Sequence, residues 1–187
     1  LPLFTPTPTP APRVLITELL IDPAAVSDTL GEWIEVYNAG GAPANLSGWT
    51  LGSLERAEHT ITADLSLEPG AYALLARSND ATANGGVTAA YRYGGVFLAN
   101  GDDSLVLRAP DGSLIDAVAW SAGAGLAITP GASLERTNLD DPALWVVATQ
   151  PWPDSAGDFG SPGAAYTLPL PTPAPTPAAT ISPKSTP

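Results

Sequence analysis

The chain has 187 residues, enough for one domain with its own core plus flanking segments. Asp and Glu number 19 against 7 Lys and Arg, a formal charge of −12, and the six Arg are scattered singly with Lys184 near the end, which argues against nucleic-acid or anionic-membrane binding. There is no cysteine, so disulfides and thiolate metal sites are excluded, and no apolar run approaches the roughly 20 residues that span a membrane.

Residues 1–12 repeat Thr-Pro, and residues 167–187 return to Pro, Thr, Ala and Ser. Proline fixes φ and removes donors, so both ends are expected to be extended Thr/Pro-rich linkers. Thr-Pro composition also fits an extracellular, O-glycosylated spacer. The opening LPLFTPTPTPAP carries no signal-peptide pattern and reads as the interior of a longer protein, with a signal or other domains removed upstream.

Residues 13–166 form the candidate domain. RVLITELLID opens it with a strand from Val14 to Leu20, although Leu19 and Leu20 break simple alternation. GEWIEVYN supplies a strand over 32–38. Trp33 and Val36 are out of phase there, which suggests a bulge or edge position near Ile34. Strands follow over 46–51 and within 60–67, and Pro69-Gly70 turns the chain into 71–76. After a small, polar loop over 79–90 come strands at 91–97 and 104–108. The turn Pro110-Asp111-Gly112 makes 113–120 the hairpin partner of 104–108. Segments 133–137 and 145–148 close the domain. Short helical turns are expected within 22–29 and 140–144, with Asp140 or Asp141 as an N-cap before Pro142. About eight to ten short strands at such spacing, with no sustained helical period, predict an all-β sandwich or barrel.

VLITELLIDP, GEWIEVYN and LSGWTL, followed in order by LEPGAYALLA, GDDSLVLRAPDGSLIDAVAW, TPGASLERT, Trp145 and FGSPGAAY, resemble a lamin tail domain over most of 13–166. The resemblance implies an immunoglobulin-like β-sandwich. It also implies the bacterial type, found as a module of secreted or surface proteins and sometimes joined to hydrolases. The chain has no heptad rod, basic import run or prenylation box, so a nuclear filament role is not implied.

Trp33, Trp49 and Trp120 are expected in the core or half-buried on a sheet. Trp145 and Trp152, the latter between two prolines, are the candidates for exposed aromatic contacts. The stretch TQPWPDSAGDFGSPG is expected to wrap the domain and cover a sheet edge. Among the acids, Glu18 and Glu35 can face each other across paired strands, where two carboxylates repel unless one is protonated or an ion bridges them. Glu18, Asp22 and Glu35 are therefore the candidate metal ligands, with calcium the candidate ion. The competing assignment is a solvated negative surface, and no DxDxDG loop supports calcium. His59 is the only histidine and no GxSxG is present, so no catalytic residues are assigned. No glycine-rich loop sits between a strand and a helix, so no nucleotide cofactor is expected.

These observations lead to the expectation of a non-enzymatic, structural or protein-interaction module, extracellular or at the cell surface and monomeric by default. Its partner would be a protein or surface polymer. Two alternatives stand beside it: a glycan-binding module using exposed tryptophans, and an accessory domain of a secreted hydrolase.

Overall fold

The computed structural model describes residues 12–55 and 57–167. The linkers expected at 1–12 and 167–187 thus lie, apart from one residue each, outside the described residues. Twelve strands occur among the described residues: β1 (Val14–Leu20), β2 (Trp33–Asn38), β3 (Ala44–Asn45), β4 (Thr50–Gly52), β5 (Ala57–Thr60), β6 (Ser66–Leu67), β7 (Tyr72–Ala76), β8 (Tyr91–Arg92), β9 (Asp103–Arg108), β10 (Leu114–Trp120), β11 (Leu134–Arg136) and β12 (Trp145–Val147). They form a six-stranded sheet in the order β12-β11-β1-β2-β7-β8, a four-stranded sheet β10-β9-β4-β5, and the pair β3-β6. Among the described residues these strands pair antiparallel except β7 with β8, which is parallel. The fold is all-β, with a single four-residue helix, α1 (Asp28–Gly31), and a 3₁₀ turn at Ala122–Ala124 among the described residues.

The two larger sheets share one apolar core. Ile16, Leu19, Ile34, Val36, Leu75 and Leu134 of the six-stranded sheet join Leu51, Leu105, Leu107, Val118 and Trp120 of the four-stranded sheet. A second, smaller cluster lies on the opposite face of the six-stranded sheet. Leu20, Trp33, Leu74 and Ala76 pack there with Val87 and Trp152. The central strands β1 and β2 of this sheet are therefore buried on both faces and need not alternate between apolar and polar residues.

A bulge in β1 sets which side chains reach each face. Ile16 pairs with Val36, but Glu18 pairs with Glu35, so two steps on β1 match one on β2. The extra residue shifts the side-chain phase. Val14 and Ile16 point to the main core before the bulge, and Leu19 and Ile21 do so after it. Glu18 and Leu20 are thereby turned to the opposite face. The irregularity expected near Ile34 is thus on the neighbouring strand. Trp33 and Val36 are both buried because each faces a different apolar cluster.

β10 carries a second bulge between Leu114 and Asp116. Asp116 shares its face with Val118 and Trp120 and points inward. There its Oδ2 accepts from the Arg136 guanidinium at 2.7 Å and from the Ile16 amide at 2.8 Å. Arg136 also donates to the Ile16 carbonyl at 3.3 Å. Asp116 and Arg136, through the Ile16 backbone, thus tie bulged strands β1 and β10 of opposing sheets together at one point.

Other elements depart from the sequence expectations. Of the strand expected over 46–51 only Thr50 and Leu51 are in β4, and residues 46–49 form a turn that follows β3. The Leu46 and Gly48 amides pair across to the Leu65 and Ile61 carbonyls. Only Tyr91 and Arg92 of 91–97 are ladder-paired. The helical turn expected within 22–29 lies at Asp28–Gly31. Near 140–144 the Asp141 carboxylate accepts from the Ala143 amide at 3.0 Å, which makes a turn and not a helix. The hairpin turn at Pro110-Asp111-Gly112 forms as expected, and Gly112 takes the positive φ of 84° that closes it.

Candidate functional site

Three glutamates stand side by side on the outer face of the six-stranded sheet. Glu18 of β1 is the register partner of both Glu35 on β2 and Glu135 on β11. Alternation in each strand sends the neighbouring Leu134, Ile34 and Val36 into the core and turns these carboxylates outward. Outward does not mean exposed here: Glu18 and Glu35 are 1% accessible and Glu135 is 7%.

The C-terminal segment buries them. After β12 the chain crosses back over this face. Trp152 lodges in the outer cluster, with its ring edge-on to Trp33 at 6.1 Å and its indole N–H donating to the Gly86 carbonyl at 3.3 Å. The Phe159 carbonyl then accepts from the Ser133 amide, and the Phe159 amide donates to the Gly131 carbonyl. Gly160 passes directly over the glutamates. A Cβ built there would lie 2.6 Å from Glu18 Oε1, so a larger residue would force the carboxylate to shift.

Five donors converge on the three carboxylates. Ser133 Oγ (2.6 Å) and the Ser161 amide (2.8 Å) donate to Glu18 Oε1. Ser161 Oγ donates to Glu135 at 2.5 Å. Thr17 Oγ1 (2.7 Å) and the Gly163 amide (2.5 Å) donate to Glu35. Thr17 is the residue that the bulge inserts, so the bulge both aims Glu18 outward and supplies a donor to its neighbour. The three glutamates line a cavity together with Tyr72, Arg136 and Tyr166. Arg136 is committed to Asp116 on the other side of the sheet.

Burial pushes the Glu18 carboxyl up to about 8, with the charges of Glu35 and Glu135 adding to the effect and the Ser133 and Ser161 bonds opposing it. Burial likewise raises Glu35 to about 7 against its bonds from Thr17 and Gly163. Glu135 is raised by burial and held back by Ser161. Near neutral pH the row therefore carries protons that free glutamates would have lost. Protonation relieves the repulsion between adjacent carboxyls.

The structure brings together two of the three expected ligands. Asp22 lies elsewhere, beside Asp28 and Asp158; partial burial and these two charges raise its carboxyl. Asp158 Oδ1 accepts from the Ala24 and Ala25 amides, both at 3.0 Å. Among the described residues, no group of three or more His, Asp or Glu is arranged to hold a metal ion. Glu135 was not among the expected residues. SLERT alternates as a strand should, but nothing local in sequence places Glu135 beside Glu18, more than a hundred residues earlier.

The tryptophans correct one expectation. Trp152 is 7% accessible and packed under its own segment. Trp145 is half-buried; its N–H donates to the Pro142 carbonyl at 2.8 Å, and the Arg136 guanidinium lies 5.9 Å from its ring. Trp33 and Trp120 are buried, as expected. The C-terminal stretch crosses the outer face of the sheet, where Trp152 packs beside Trp33, and its Phe159 forms a parallel bridge to Ala132 just ahead of β11. His59 Nε2 is 2.9 Å from the Tyr91 hydroxyl, and its Nδ1 accepts from the Gly94 amide at 3.4 Å. These partners tie edge strands β5 and β8 together and supply no nucleophile.

The fold is all-β, and its buried carboxylates are engaged by backbone amides and hydroxyls of the same chain. A lamin tail domain model matches residues 7–122, more than half of the chain, and the chain belongs to the lamin tail domain family. A search of curated proteins gives no match. The matched span reaches from β1 through β10, while β11, β12 and the C-terminal segment lie beyond it.

Proposed function

We propose that residues 13–166 are a non-catalytic, immunoglobulin-like β-sandwich module. It is carried between Thr/Pro-rich linkers in a larger secreted or cell-surface protein, and it acts in structural display or protein contact. The observation that carries this reading is the family membership joined to the closed state of the most chemically suggestive site. The three glutamates accept hydrogen bonds from hydroxyls and backbone amides of the same chain. The burial of Trp152 and half-burial of Trp145 favour protein contact over glycan stacking, which uses aromatic rings open to solvent.

The test is retention of the full chain on immobilised cell-surface extracts, with and without prior protease treatment, and on purified polysaccharides. Retention that protease abolishes, with no retention on polysaccharide, is the expected result. Retention on polysaccharide alone would overturn the proposal in favour of glycan binding.

A further inference from the structure

The sequence contains two Asn-Gly pairs, Asn84-Gly85 and Asn100-Gly101. Glycine after asparagine permits an intramolecular reaction because no side chain obstructs approach of its backbone nitrogen. The two pairs sit in opposite environments.

Asn84 is buried, and its carboxamide is held at both ends. Its Nδ2 donates to the Ser78 carbonyl at 2.9 Å and the Val87 carbonyl at 3.0 Å. Its Oδ1 accepts from the Gly86 amide at 3.2 Å and the Val87 amide at 3.1 Å. Its own amide donates to the Asp80 carbonyl at 2.9 Å. Turning the carboxamide carbon toward the Gly85 nitrogen would break four bonds inside the protein.

Asn100 is exposed, in the bend that leads into β9. Its carboxamide donates to Asp28 Oδ2 at 3.2 Å, an exposed contact between side chains that water replaces readily. Nothing lies within 4 Å of a Cβ built on Gly101, so the bend has room to rearrange.

We propose that Asn100 is a site of spontaneous, non-enzymatic deamidation, and that the fold protects Asn84 from the same reaction. The Gly101 nitrogen attacks Asn100 Cγ, and a C–N bond forms to close a succinimide. The bond from Cγ to the side-chain nitrogen breaks, and ammonia leaves with the proton shed by the Gly101 amide. Water then adds to either ring carbonyl and opens it to aspartate or isoaspartate. The net change is hydrolysis of a carboxamide, with no oxidation and solvent water as the co-reactant.

The product has a structural consequence. A new carboxylate stands where Nδ2 donated to Asp28, so an attraction between the bend and α1 becomes a repulsion between like charges. In the isoaspartyl product the backbone is also one carbon longer. The neighbouring Ala99 donates its amide to Asp103 at 3.0 Å and accepts from the buried Trp120 indole at 2.9 Å. The lengthening therefore falls beside an anchor of the main core.

The experiment is ageing of the full chain in mildly alkaline buffer, with and without strong denaturant, followed by peptide mapping that separates aspartate from isoaspartate by fragmentation. In the folded chain, a mass gain of one unit is expected at Asn100, with isoaspartate and aspartate both present and Asn84 intact. In denaturant the two sites are expected to react at comparable rates. The G101A variant should slow the Asn100 reaction by at least an order of magnitude in both states. Equal rates at Asn84 and Asn100 in the folded chain would overturn the proposal, as would an Asn100 that reacts only in denaturant.

Discussion

Replacing Asp116 with alanine removes one acceptor from two buried donors at once. The Arg136 guanidinium, itself buried, loses its 2.7 Å partner, and the Ile16 amide at the β1 bulge loses its 2.8 Å acceptor. Leaving one member of a buried ion pair uncompensated costs about 3–5 kcal/mol. The orphaned amide lies in the same network, so its cost overlaps with this figure and does not add in full. Taking about 4 kcal/mol, and about 2–4 °C per kcal/mol for a domain of this size, D116A should melt about 8–16 °C below the parent. Thermal and urea unfolding followed by circular dichroism measure this directly. The double variant D116L/R136M removes both charges and should recover much of the loss, because apolar replacement of a whole buried pair is often tolerated. A D116A melting temperature within a degree or two of the parent would refute the reasoning, as would a double variant no more stable than D116A.

The glutamate row makes stability depend on pH in an unusual direction. Glu18 and Glu35 are raised to about 8 and about 7, and Glu32, near Arg77, is also raised to about 7 by burial. Native carboxyls with raised pKa keep protons that the unfolded chain releases, so their stability is fully present below about pH 4.5 and is lost as pH rises through about 7–8. The melting temperature should fall over that interval, and E18Q should flatten the fall; a melting temperature that rises instead would contradict the assignment. L107A removes a fully buried core residue and should cost about 2–5 kcal/mol, read from urea midpoints. W152A should cost about 3–5 kcal/mol and expose Trp33 to iodide quenching; an unchanged melting temperature would mean that the C-terminal segment is not docked. Calcium in excess over chelator should leave the melting temperature unmoved, since the carboxylates of the row are already occupied by donors from the chain; a calcium-specific rise would mean that an ion binds the native state.

The strand segments most legible in the sequence were those with strong local signals. VLITELL, WIEVYN, YALLA and the DSLVLR–LIDAVAW hairpin are compact apolar runs bounded by turn residues, and each forms close to its expected span. The β1 bulge was not legible as such, because the consecutive leucines that betray it read only as broken alternation. Covering both faces of one sheet removes the alternation that sequence reading relies on. The same cause hid the role of Trp152. A tryptophan between prolines reads as loop, and only docking beside Trp33 on a distant strand buries it. Of the glutamate row, Glu18 and Glu35 were within reach because β1 and β2 are consecutive and antiparallel. Glu135 joins only through the non-local pairing of β11 with β1, and the donors Ser161 and Gly163 arrive on a segment without regular structure.

The account rests on Glu18, Glu35 and Glu135 being a proton-bearing clasp for the C-terminal segment and not an open ligand site. The most direct measurement is a titration of the glutamate side-chain carboxyls by carbon NMR in the full chain, assigned with E18Q, E35Q and E135Q. The account predicts that Glu18 titrates near 8 and Glu35 near 7, with Glu135 also above the ordinary range. Three carboxyls that titrate together near 4.5 would contradict it, since that is the behaviour of solvated glutamates with no segment closed over them.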